Sequence, residues 1–115
     1  MSAPETLSIF MLVKTSPEWL GFPVPTRFAH LRKDLQPIIR KYADRVTFRW
    51  YDAEFYTTRL TDLWLIEAKS SHDYEMMVEE LRETPLWDRY FQIVEIIPAI
   101  ENAYARNYDE APVGA

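Results

Sequence analysis

Lys14, Arg49, Glu67 and Glu95 are four charges set in strand-like, largely apolar stretches. Successive side chains of a strand point to opposite faces, so alternation sorts them onto one surface. That surface groups Ser8, Phe10, Leu12 and Lys14; Thr47, Arg49 and Tyr51; Leu63, Leu65 and Glu67; and Phe91, Ile93 and Glu95. Two cations and two carboxylates on an aromatic, apolar face suit the orientation of a polar substrate and the movement of a proton. Arg49 or Lys14 would hold an anionic oxygen. Glu67 or Glu95 would donate or accept the proton, and Tyr51 would hydrogen-bond. Phe10 would form apolar wall, and Trp19 and Trp87, both in loop regions, would close the mouth. Apolar surroundings raise a carboxyl pKa toward a useful value. The same charges, used as salt bridges, would instead fix a dimer or seal a barrel mouth. A slip of one residue in register would exchange every member of the set for its neighbour.

A second set of carboxylates, Asp52, Glu54 and Asp62, brackets a loop that contains Arg59. Clustered carboxylates bind hard cations, but this spacing matches no known metal loop. They read as caps, turn residues and partners for Arg59, and no metal is expected. His30 lies off the apolar stripe of its helix and is expected to face solvent; His72 falls in a first helical turn. Trp19, Trp50, Trp64 and Trp87 read as core and interface rather than as a haem or flavin box, so no cofactor is expected.

Positioning these groups requires regular elements. Leu7 to Lys14, Val46 to Asp52, Asp62 to Ala68 and Tyr90 to Ile97 read as strands by length, alternation and residue type. Thr26 to Tyr42 reads as a helix, with Phe28, Leu31, Leu35, Ile38, Ile39 and Tyr42 on one stripe. Pro37 lies inside it, and the stripe continues beyond, so a kink or widened turn is expected there. Ser70 and Asp73 mark the start of a second helix, whose stripe is Tyr74, Met77, Val78 and Leu81. Thr84 and Pro85 form a one-turn cap ahead of the last strand. Residues 1–115 form a single domain, with 99–115 as a tail expected to pack on it through Ile100 and Tyr104.

The chain has 115 residues, 48% of them hydrophobic, enough for one real core. Two glycines exclude the glycine-rich phosphate loops, and the lack of cysteine excludes disulfides and thiolate chemistry. A net charge of −5 disfavours nucleic acid. No window is long and apolar enough to span a membrane, and the N-terminus lacks a signal-peptide pattern, so a cytoplasmic protein is expected.

The order β-α-β-β-α-β is the ferredoxin-like arrangement, α+β in class: a four-stranded antiparallel sheet with both helices on one face. The other face would carry Phe10, Leu12, Tyr51, Leu65 and Ile93, too apolar to stay wet. A second copy of the chain is its expected cover, giving a homodimeric α+β barrel.

Several strings also resemble the darcynin family: Phe10 to Thr15 followed by Pro17 and Trp19, Arg49 to Glu54, Leu81 to Phe91, and Ile97 to Tyr104. The resemblance covers most of residues 7–108. It implies a ferredoxin-like, dimeric α+β barrel and carries over no catalytic residue. The wider class of dimeric barrels includes cofactor-free monooxygenases, isomerases, cyclases and small-molecule binders, which is an analogy of fold. The resulting expectation is a cofactor-independent small-molecule enzyme with its pocket on the sheet face away from the helices. The alternative is a non-catalytic small-molecule-binding or dimeric interaction protein in which the charges are structural.

Overall fold

A computed structural model describes residues 6–114 of the chain. Four strands form one sheet: β1 (Leu7–Thr15), β2 (Val46–Asp52), β3 (Asp62–Ala68) and β4 (Phe91–Ala99). Their order is β2-β3-β1-β4, and every neighbouring pair is antiparallel. The helices are α1 (Pro17–Leu20), α2 (Val24–His30), α3 (Gln36–Lys41), α4 (Ser71–Arg82) and α5 (Ala103–Asn107). None of the described helices is long and apolar enough to cross a membrane.

Alternation along the strands decides the core. Ile9, Met11 and Val13 of β1, and Trp64, Ile66 and Ala68 of β3, are buried on the same side of the sheet. Leu35, Ile38 and Tyr42 from the first helical region, and Met77 and Leu81 from α4, pack against them. The helices therefore cover one face only, and the fold is the ferredoxin-like α+β arrangement expected.

Pro37 acts as anticipated. Between α2 and α3 the chain widens into a π-turn over Leu31–Leu35, where the Gln36 amide reaches back to the Leu31 carbonyl. A proline ring presses on the carbonyl four residues earlier and offers no amide. The wider turn relieves that clash and rotates the helix so that Ile38 and Tyr42 return to the core. At α4 the Ser70 hydroxyl accepts the Asp73 amide at 3.1 Å, the predicted cap. Beyond α4 the Thr84 hydroxyl donates to the Leu81 carbonyl at 2.7 Å and closes the helix end.

Two expectations are corrected. Phe91 and Ile93 lie on the helix-covered face, not on the open one. Leu12 pairs with Glu95 but Val13 pairs with Ile93, which leaves Val94 unpaired as a β-bulge. The extra residue reverses the phase of alternation, so Phe91 and Ile93 point inward while Glu95 and Ile97 point outward. The tail forms the single helical turn α5 and packs little on its own domain: Ile100, 40% exposed, borders the open face, but Tyr104 is 71% exposed. The chain leaves the sheet from an edge strand, and left-handed Asn102 (φ 55°) turns it there. Tyr104 and Tyr108 stack on each other, with ring centres 5.2 Å apart.

The π-turn accommodates Pro37, and burial of Ile38 and Tyr42 holds the helix beyond it on the core. Pro37→Ala is therefore expected to keep the fold and to lose about 0.4–1 kcal/mol, through greater freedom of the unfolded chain. Urea unfolding followed by circular dichroism checks this; a loss several times larger would show that the proline itself sets the turn.

Candidate functional site

A cleft of about 600 Å³ lies on the helix side of the sheet, between α1, α2 and the ends of β1, β2 and β3. Trp19, Trp50, Phe28 and Phe91 supply aromatic wall, and Leu20, Val24 and Leu31 add aliphatic wall. Trp19 is held in place from several sides. Ser16 caps α1 by accepting the Trp19 amide at 3.2 Å, and the Trp19 ring packs on Phe91 with centres 4.9 Å apart. The Glu18–Arg89 ion pair, doubly hydrogen-bonded at 2.8 and 2.9 Å, ties α1 to the turn before β4. Phe91 in turn touches Trp50 and Trp64, so the inner aromatic residues form one continuous floor.

At one end of this cleft stand Asp52, Glu54 and Asp62, and one carboxylate oxygen from each lies within 4.8 Å of the others. Asp52 and Asp62 are direct partners across β2 and β3. Asp62 alternates with Trp64 and Ile66 and is buried with them, at 4% exposure. Its Oδ1 accepts the Trp50 indole N–H at 2.9 Å, and its Oδ2 accepts the Thr61 hydroxyl at 2.6 Å. Thr61 is itself fixed by accepting the Thr15 amide at 2.9 Å. Burial pushes the Asp62 carboxyl above the usual carboxylate range. The bonds from Thr61 and Trp50 oppose that shift, while a hydrogen bond with Asp52 and the charge of Glu54 add to it. Asp52 faces Asp62 from the neighbouring strand, so two carboxyl groups meet at this point of the cleft.

Arg27 also lines the cleft, but its guanidinium donates to the carbonyls of Phe22 and Leu20 at 3.0 and 2.8 Å. The expected pairing of Arg59 with the carboxylates is not found. Arg59 is exposed, and among the described residues none of the three carboxylates carries an ion pair. His30 departs from expectation as well. It is half-buried against Phe22 and Tyr90, with ring centres 5.0 and 5.2 Å away, because the loop carrying Phe22 folds back over α2.

The charges predicted for the open face are only partly brought together. Arg49 and Glu67 form an ion pair beside a smaller cleft of about 430 Å³ that also includes Ser8, Phe10 and Ile100. The hydrogen bond to Glu67 raises the Arg49 pKa further. Tyr51 lies exposed on this face. Lys14 instead donates to the Thr58 carbonyl at 3.0 Å, at the far end of its strand. Glu95 is exposed opposite Leu12 on the other edge strand, three strand spacings from Arg49, roughly 14 Å at ordinary sheet geometry. Trp19 and Trp87 are not at that cleft. Both pack against the core on the helix side, and the Arg82 guanidinium sits 6.0 Å from the Trp87 ring centre. Sequence reasoning did not mark Asp62 as a site residue; its alternation with Trp64 and Ile66 is the signal that could have shown it buried.

Comparison with known proteins agrees with this fold. A structure of chlorite dismutase from Candidatus Nitrospira defluvii in complex with imidazole superposes with a TM-score of 0.72 at 10% identity, covering 86% of this chain and 41% of that one. A dimeric chlorite dismutase from Nitrobacter winogradskyi gives 0.66 at 17% identity, covering 87% and 60%. The chain thus spans about two fifths of the first of these structures and three fifths of the second, and the likeness is one of fold. Sequence relatives are nearer. A Darcynin homolog of Granulibacter bethesdensis is 61% identical over 109 residues, covering 95% of this chain and 88% of the relative. A Darcynin homolog of Streptomyces avermitilis is 45% identical over 107 residues, covering 93% and 88%. The family described as Darcynin, domain of unknown function, matches residues 1–115, and the chain belongs to that family.

Proposed function

We propose that the chain is a small-molecule enzyme whose active site is the helix-side cleft, with Asp62 as the proton-exchanging group and Asp52 as its partner. The observation that carries this reading is a buried carboxyl group at the end of an aromatic cleft, held by donors on both oxygens. Ligand sites are mostly apolar with a few convergent polar groups, and perturbed carboxyls concentrate in them. Trp50 and Thr61 fix the carboxyl, and the walls exclude water from the proton transfer. The chemistry in this reading is carried by side chains of the chain itself.

The open face then has a different role, as the seat of a homodimer. Phe10, Tyr51 and Ile97 stay exposed on it, and the fold is shared with a chlorite dimutase whose structure is dimeric. A covering copy would shield them and close the Arg49–Glu67 cleft; stable dimers of this kind bury roughly 2,000 Å² or more. The exposed tail extends the same apolar surface through Ile100 and Tyr104.

Screening by NMR with small neutral aromatic fragments tests the site. Bound fragments are expected to shift the Trp50 and Trp19 indole signals. Fragments that gather instead around Arg49 and Glu67 would return the site to the open face. Shifts without any turnover of related compounds would leave a binding protein, the non-catalytic alternative.

Asp62 also predicts a pH signature. Its folded pKa is raised, so its contribution to stability is fully present below the unfolded value of about 4 and declines as pH rises through the folded value. Asp62→Asn keeps an acceptor for Trp50 and removes the titration. The stability advantage of the native chain over this variant is therefore expected to shrink between acid and neutral pH in urea unfolding. A constant difference would mean that Asp62 titrates like an exposed carboxylate.

Light scattering is expected to give a dimer at micromolar concentration. Truncation after Ala99 should leave unfolding of the domain unchanged, since the tail packs on little of it, while weakening the dimer. A full-length chain that stays monomeric would refute the assembly.

A further inference from the structure

We infer that the ligand of the helix-side cleft is an organic ammonium ion, a primary amine carried on a flat apolar body. This rests on the reading of that cleft as the site and names the class of molecule it takes. The cleft joins two chemistries: Trp19, Trp50 and Phe91 line its wall, and one end presents one oxygen from each of Asp52, Glu54 and Asp62 within 4.8 Å of the others. A protonated primary amine has three N–H donors and no acceptor, which suits a convergent set of three carboxylates. Both Asp62 oxygens accept one bond already, from Trp50 and Thr61, and each carboxylate oxygen has room for a second.

The charge at this end is uncompensated by the protein. Every ion pair among the described residues lies elsewhere. Arg27, the cation on the wall, is turned to the Leu20 and Phe22 carbonyls. A cationic ligand would supply the missing charge, and the chain's net charge of −5 favours its approach. A hard divalent ion fits less well. It takes six or more oxygens around it, whereas most of this cleft is indole, phenyl and aliphatic surface. Aromatic faces, by contrast, attract an ammonium and pack its hydrocarbon body.

Three compounds with one body separate the classes: phenethylamine, 2-phenylethanol and phenylacetate, titrated into the full chain at neutral pH and followed at the Trp50 indole signal. The amine is expected to bind about tenfold tighter than the alcohol, with phenylacetate weakest. The double variant Asp52→Asn, Glu54→Gln should bring the amine down to the level of the alcohol and leave the alcohol unchanged. Equal binding of amine and alcohol, or a preference for phenylacetate, would overturn the ammonium class while leaving the cleft as a site. Displacement of the amine by Mg²⁺ or Ca²⁺ at similar concentration would overturn it in favour of a metal. No response of Trp50 to any of the three would remove both the class and the site beneath it.

Discussion

The unpaired residue Val94 sets the phase of the last strand, and the helix side of the molecule depends on that phase. With strict alternation from Ile97 backward, Phe91 would stand on the open face. The bulge turns it inward, where it packs against Trp19, Trp50 and Trp64. These rings are the floor of the cleft and the top of the core at once. The turn before β4 is built to the same end. Asp88 adopts a left-handed conformation (φ 63°), its amide bonds the Phe91 carbonyl at 2.9 Å, and Tyr90 returns an amide to the Pro85 carbonyl at 3.0 Å. An aspartate tolerates that backbone region better than a branched residue does.

On this floor stands a group that an apolar core would not accept alone. A carboxyl at 4% exposure, opposite another carboxyl, opposes folding unless its oxygens are bonded or its proton retained. Asp62 has donors on each oxygen, and burial raises its pKa in favour of the protonated form. Stability alone does not require such a residue, because Val13 and Trp64 beside it show that the position could be apolar. The open-face ion pair of Arg49 and Glu67 raises no comparable question. With 58% and 30% of their side chains exposed, the two charges remain hydrated, and surface pairs of this kind contribute roughly 0–1 kcal/mol.

The strands, the helix caps and the widened turn before Pro37 were legible because each depends on residues close in sequence. Trp64 and Ile66 alternate, Ser70 caps, and the stripe resumes at Ile38. The inner and outer faces of β1, β2 and β3 were legible for the same reason. The bulge was not. Ile93, Val94, Glu95, Ile96 and Ile97 form a nearly continuous apolar run with no glycine to mark the extra residue, and the shift exists only against its partner β1. The burial of His30 and Trp19 depends on where the proline-rich loop folds, a tertiary fact. The tail misled because its apolar edge was real but its expected support lay within the same chain. The Asp62 site was not legible: the three carboxylates read as caps, turn residues and partners of Arg59, and only the paired strands show Asp62 buried beside Trp64 and facing Asp52.

The two faces are not independent, because the same strands build both. On β2, Arg49 and Tyr51 point outward while Trp50 and Asp52 point toward the cleft. On β3, Asp62 and Trp64 point inward while Leu63, Leu65 and Glu67 point outward. β2 is an edge strand, held by β3 alone on one side. The indole that donates to Asp62 is therefore carried by an edge strand of the sheet. Whatever covers the outer face of β2 restrains the backbone between Arg49 and Tyr51, and with it the 2.9 Å bond from Trp50 to Asp62. In the homodimer proposed above, assembly on one face steadies the acid on the other. Substitutions at Arg49 or Tyr51 would then act on the cleft by loosening β2 without touching any group in it.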